Sequence, residues 1–223
     1  MDYILPIVAV LSGFLFVLTV RPKEKKKLRL LLAFSGAFLL SLTVFSLLPE
    51  IYGGDLAEEA GMFIMLGILL QIFLEFFSKG AEHGHVHLHK HRNVFPWLLF
   101  ISLSIHSVLE GFPVYGHHNL VYGIVVHKLP IAIILSTFFL EASVKKRYVF
   151  VFLLLFSLMT PLGTLLAEHV TWLRVYSRQI AGLVVGIFLH ISTIILFESS
   201  EGHKFNIRKL IVIVIGIVAA YFV

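Results

Sequence analysis

The chain has 223 residues, 58% of them hydrophobic and only 14% charged, against roughly 45–50% and about 25% in ordinary soluble domains. With a mean hydropathy of +0.94 this implies an integral membrane protein, and the +5 net charge needs no nucleic-acid partner because the basic residues have a topological explanation. The lack of cysteine excludes disulfides, thiolate metal ligands and cysteine nucleophiles, whereas twelve histidines in so apolar a chain point to metal.

Eight apolar segments follow one another, over about 3–20, 28–48, 60–78, 94–115, 119–141, 148–168, 179–198 and 207–223. None alternates like a strand, and a spanning segment must satisfy its backbone internally, so the expected fold is all-α: a polytopic bundle of eight transmembrane helices. Before the first segment, Met1-Asp2-Tyr3 lacks the basic region of a secretory signal, and no A-x-A-like site follows, so that segment is expected to be a span. Of the 18 Lys and Arg residues, 15 fall on odd-numbered loops, from Arg21 to Arg29, Lys79 to Arg92, Lys145 to Arg147 and Lys204 to Lys209. The second loop is acidic, with Glu50, Asp55, Glu58 and Glu59. Positive-inside bias then predicts odd loops in the cytoplasm and both termini outside a plasma (inner) membrane.

No soluble domain fits between the spans, so residues 1–223 are expected to form a single transmembrane domain. The longest loop, 79–93, reads K-G-A-E-H-G-H-V-H-L-H-K-H-R-N, with His83, His85, His87, His89 and His91 at alternate positions. Alternation puts five imidazoles on one side of an extended chain, and histidine-rich tracts are compositionally metal-binding. The expectation is transient metal capture on the cytoplasmic side; the competing reading is a merely polar loop.

The densest chemistry flanks the short turn Gly116-His117-His118-Asn119. His106 lies eleven residues before His117 and His127 ten after it, so both fall roughly 15 Å below the turn. That is about half of a hydrocarbon core some 30 Å thick. Glu110 shares a helix face with His106, Ser107 borders that face, and Lys128 follows His127. Ionisable groups at such depth mark ion or substrate pathways, and imidazole with carboxylate one turn apart suits a borderline divalent ion. Pro130, and Gly111-Phe112-Pro113, free backbone groups beside the site. The competing reading pairs Glu110 with Lys128 and uses the histidines to bond helices together. Enzymatic readings find no support: H-S-V-L-E lacks the pattern of H-E-x-x-H, and no G-x-S-x-G occurs. Further candidates are His190 in the seventh span, as ligand, gate or inter-helix hydrogen bonder, and Gln71 with Glu75 on one face of the third. His117 and His118, with Glu50 and Asp55 near in topology, are candidates for attracting incoming cations.

H-S-V-L-E-G at 106–111, H-K-L-P at 127–130, T-P-L-G at 160–163, S-L-L-P-E at 46–50 and the histidine-rich loop together resemble the ZIP family of zinc and iron transporters. The resemblance covers all eight spans. It implies uptake of divalent metal toward the cytoplasm through a site on spans four and five, a 3+2+3 arrangement with inverted repeats, a homodimer, and elevator-like movement of spans one, four, five and six. It also implies His106, Glu110 and His127 as primary metal ligands and Ser107 as a position bordering a second site. Lys128 and Ile131 stand where many members carry acid, amide or histidine ligands, and Ser46 replaces a histidine. With one carboxylate present, Lys128 is read as a stand-in for the second cation of a two-ion site.

The expected function is therefore transport of divalent metal, zinc first, with Fe2+, Mn2+ and Cd2+ as alternative substrates and the lipid bilayer as the other partner. A membrane metal sensor without turnover, and a proton-linked carrier of another solute, are the alternatives.

Overall fold

The computed structural model describes residues 1–22, 25–53, 57–78, 95–142, 144–198 and 207–223. The histidine-rich loop and its five histidines lie outside these, as does Asp55. Among the described residues all regular structure is helical: α1 Ile4–Val20, α2 Lys25–Leu42, α3 Leu48–Tyr52, α4 Ala57–Ser78, α5 Trp97–Gly111, α6 Leu120–Glu141, α7 Lys146–Ser157, α8 Met159–His169, α9 Thr171–Val175, α10 Ser177–Glu198 and α11 Ile207–Tyr221. Among the described residues, six continuous helical stretches are long and apolar enough to cross a bilayer, and the shorter α1 and α11 bring the candidates to eight.

Three spans are not single regular helices. Span two passes from α2 through a π-helical segment, Thr43–Leu47, into α3, where Pro49 sits in the first turn. Span four ends at Gly111, and Pro113 opens a single 3-10 turn to Tyr115. Span six breaks at Leu158, three residues before Pro161, into α7 and α8. Each irregularity adjoins a proline, whose missing donor and bulky ring disturb the preceding turn. Pro130, by contrast, lies inside an unbroken α6.

The outer faces carry apolar residues such as Leu15, Phe73, Phe76 and Ile215, more than half exposed, as a lipid-facing surface requires. The interior is unusually polar: Ser35, Gln71, Ser107, His106, Glu110, His127, Lys128, Thr160 and Thr164 are all buried. Because lipid removes most hydrophobic drive for helix association, close packing of small residues takes over. A Cβ on Gly163 would lie 1.9 Å from the Val108 carbonyl oxygen, and one on Gly111 2.2 Å from that of Thr160. Only glycine allows α5 and α8 this approach, which brings span six against the site helix.

Candidate functional site

α5 presents His106 and Glu110 one turn apart, and α6 brings His127 and Lys128 against them; all four are at most 3% exposed. Lys128 Nζ lies 2.6 Å from Glu110 Oε1 and donates to Ser107 Oγ at 2.9 Å. Its ammonium also sits 4.4 Å from the Phe156 ring centroid, near enough for cation–π attraction. The Thr160 hydroxyl, from α8, donates to the same Glu110 oxygen at 2.7 Å.

The second carboxylate oxygen is held differently. Glu110 Oε2 accepts no hydrogen bond and faces His106 Nε2 at 3.2 Å; His106 Nδ1 is also without a hydrogen-bond partner. Two donors about 2.05 Å from a tetrahedral zinc ion are about 3.3 Å apart, so this pair already has the bite of two ligands on one ion. His127 is further off. Its ring centroid lies 6.4 Å from that of His106, whereas two imidazoles on one tetrahedral ion would have centroids roughly 5 Å apart. Ser35 Oγ lies 3.5 Å from His127 Nδ1. The groups enclose a cavity of about 10 Å³, enough for one water-sized guest, also lined by Leu103, Ile131 and Phe156. Among the described residues, no three His, Asp or Glu side chains converge closely enough to hold a metal ion in this conformation.

All five intramembrane residues singled out on spans four and five thus meet at one point, and the Glu110–Lys128 pair expected on the purely structural reading is formed. Thr160, Phe156 and Ser35 were missed as neighbours. Thr160 and Thr164 lie one turn apart beside Pro161 and Gly163, a hint that α8 turns hydroxyls toward its partner; Thr164 Oγ1 donates to the Gly111 carbonyl at 2.9 Å. Ser35 left no comparable signal. His190 is outside this cavity: its Nε2 is 2.8 Å from Glu75 Oε2. At the turn between α5 and α6, His117 Nε2 is 2.6 Å from Glu50 Oε2 and His118 Nδ1 is 2.5 Å from Asp2 Oδ2. Ser46, His117, His118 and Asn119 border a separate cavity of about 290 Å³.

The model of a family described as ZIP Zinc transporter matches residues 78–223. The chain belongs to this family. The matched region includes every residue that lines the cavity. The zinc transporter ZIP1 of Danio rerio is 33% identical over 89 residues, 37% of this chain. The chain covers only 30% of that relative's length. Among the residues that line the cavity Glu110 is the one carboxylate, and the Lys128 ammonium lies against it.

Proposed function

We propose that the protein carries divalent metal ions, zinc first, across the membrane toward the cytoplasm through the α5–α6 cavity. The observation that carries this reading is the His106–Glu110 pair, buried at mid-membrane depth with ligand-like spacing and with unsatisfied polar atoms. An arriving ion takes Glu110 Oε2 and His106 Nε2 first. Closure of His127 by about 1 Å completes three protein ligands. The ion must also overcome repulsion from the ammonium held on Oε1. One ion beside a fixed positive charge is the stand-in reading of Lys128; Ser107 accepts from that ammonium, and Thr160 donates to the carboxylate oxygen it pairs with.

The remaining parts of the reading are a 3+2+3 inverted repeat, odd loops in the cytoplasm, and a homodimer. The largest helix packings support the repeat: α4 with α10, α2 with α11, α1 with α6 and α5 with α8. Exchanging spans one, two, three and four for six, seven, eight and five converts the first packing into the second and the third into the fourth. An inverted repeat requires that symmetry.

The test is uptake of radiolabelled Zn2+ into proteoliposomes, wild type against Glu110→Ala. Flux that disappears in the variant is the expected result. Binding without flux in the wild type would make the protein a metal sensor, and neither binding nor flux would leave the four ionisable groups as a proton relay for another solute.

A further inference from the structure

The α4–α10 packing carries a second polar cluster that the proposed transport path does not use. Its register can be read from the glycines. A Cβ on Gly182 would meet Phe63 Cβ at 2.8 Å, one on Gly67 the Leu183 carbonyl oxygen at 2.1 Å, and one on Gly186 the Ile64 carbonyl oxygen at 2.1 Å. Residue 63 therefore faces 182, and 67 faces 183–186. One turn further along two helices that run side by side, Gln71 comes opposite 187–190. One turn beyond that, Glu75 reaches back to His190, with 2.8 Å between Oε2 and Nε2. The seam is backbone on backbone at one end and then opens into an amide, a carboxylate and an imidazole.

Gln71 is the anomaly. It is fully buried, and neither its amide oxygen nor its amide nitrogen finds a hydrogen-bond partner among the described residues. A glutamine serves no packing purpose that leucine or methionine would not serve better in lipid, and an unbonded buried amide is destabilising. Something must bond to it. The neighbours supplied by the register are Glu75 and His190, so the amide oxygen adds a third donor to a pair that already consists of one anionic oxygen and one imidazole nitrogen. Mixed N/O/O sets of this kind suit divalent transition ions.

We propose that Gln71, Glu75 and His190 form a second divalent-cation site in the α4–α10 seam, separate from the central cavity. None of the three lines that cavity, and neither α4 nor α10 contributes a residue to its lining. Glu75 is three residues, about 5 Å, from the end of α4 at Ser78, and His190 eight residues, about 12 Å, from the end of α10. The site therefore lies in the half of the membrane nearer the attachment of the 79–93 loop. Occupancy of this site clamps α4 to α10 outside the proposed transport path. This proposal shares with the transport reading only the class of ion.

Equilibrium binding of Zn2+ to the full chain in lipid nanodiscs tests it, in a background with His83, His85, His87, His89 and His91 replaced by serine. Two equivalents are expected. Glu110→Ala, His190→Asn and Gln71→Leu should each remove one, and Gln71→Glu, which adds an anionic oxygen without needing the cluster to be dismantled, should tighten the seam site at least about 10-fold. Unchanged stoichiometry and affinity in His190→Asn, Gln71→Leu and Gln71→Glu would overturn the proposal and leave the amide to a buried water. Loss of an equivalent with His190→Asn but not with Glu110→Ala would instead keep this site and remove the central one.

Discussion

Replacing Lys128 by methionine isolates the electrostatics of the cavity, since methionine keeps an unbranched apolar stem against Phe156 and deletes only the ammonium. That ammonium lies 2.6 Å from Glu110 Oε1, with both side chains at most 2% exposed. An ion held between Glu110 Oε2 and His106 Nε2 would sit roughly 5 Å from Nζ. At an effective dielectric of about 20, a +2 and a +1 charge at that distance repel by about 7 kcal/mol, an upper bound that movement of Lys128 reduces. A second route to the magnitude is the charge left behind. Removing one partner of a buried ion pair costs about 3–5 kcal/mol, and a bound cation recovers that cost. Taking the lower value, about 3 kcal/mol, Zn2+ should bind Lys128→Met at least about 100-fold more tightly than wild type. The assay is Zn2+ titration of purified protein in nanodiscs, with the loop histidines replaced so that membrane sites alone are counted. Read in parallel, bound Zn2+ should rise by more than the wild-type equivalent at the cavity if Lys128 stands in for a second cation. Unchanged or weaker affinity in a monodisperse, folded variant would refute the competition between ammonium and metal, and unchanged stoichiometry would refute the stand-in.

Three further outcomes are expected. Thr160→Val removes a hydrogen bond to an ionised carboxylate, worth about 1.5–3 kcal/mol, and should lower Zn2+ uptake about 10-fold or more in proteoliposomes, while Thr160→Ser restores it. Gly163→Ala sets a methyl group 1.9 Å from the Val108 carbonyl oxygen; overpacking of this kind typically costs about 1–3 kcal/mol, seen as a lower Tm in detergent, and should depress uptake because α8 carries Thr160. Serine at His83, His85, His87, His89 and His91 should reduce uptake at limiting Zn2+ and leave it unchanged at saturating Zn2+ if the loop serves capture alone.

The helices were legible because their signal is local. A run of apolar residues near the thickness of a bilayer has one stable solution, and each of the eight expected segments coincides with a helix or a pair of helices in line. Breaks were only partly legible. Pro113 and Pro161 mark real irregularities, yet Pro130 stands in a continuous helix, because neighbouring helices decide whether a freed carbonyl bends the chain or is simply tolerated. The polar cluster was legible by the same arithmetic: counting residues from the turn at 116–119 put His106, Glu110, His127 and Lys128 at similar distances along adjacent helices, and their side chains do meet.

By itself, then, the sequence determined the membrane class, the span lengths, the distance of the ionisable groups from the α5–α6 turn and the pairing face of His106 with Glu110. All of these depend on rise per residue and helical period, which are properties of one helix. Tertiary structure alone decided which oxygen of Glu110 takes Lys128 and Thr160 and which stays open toward His106. It also decided that His190 meets Glu75, and that Gln71 is buried with no hydrogen-bond partner among the described residues. The contacts of Lys128 and Thr160 with Glu110 and of His190 with Glu75 join residues 18, 50 and 115 positions apart. They follow from how closely α5 meets α8 and α4 meets α10, which is set by glycines whose spacing permits packing on any neighbour and names none.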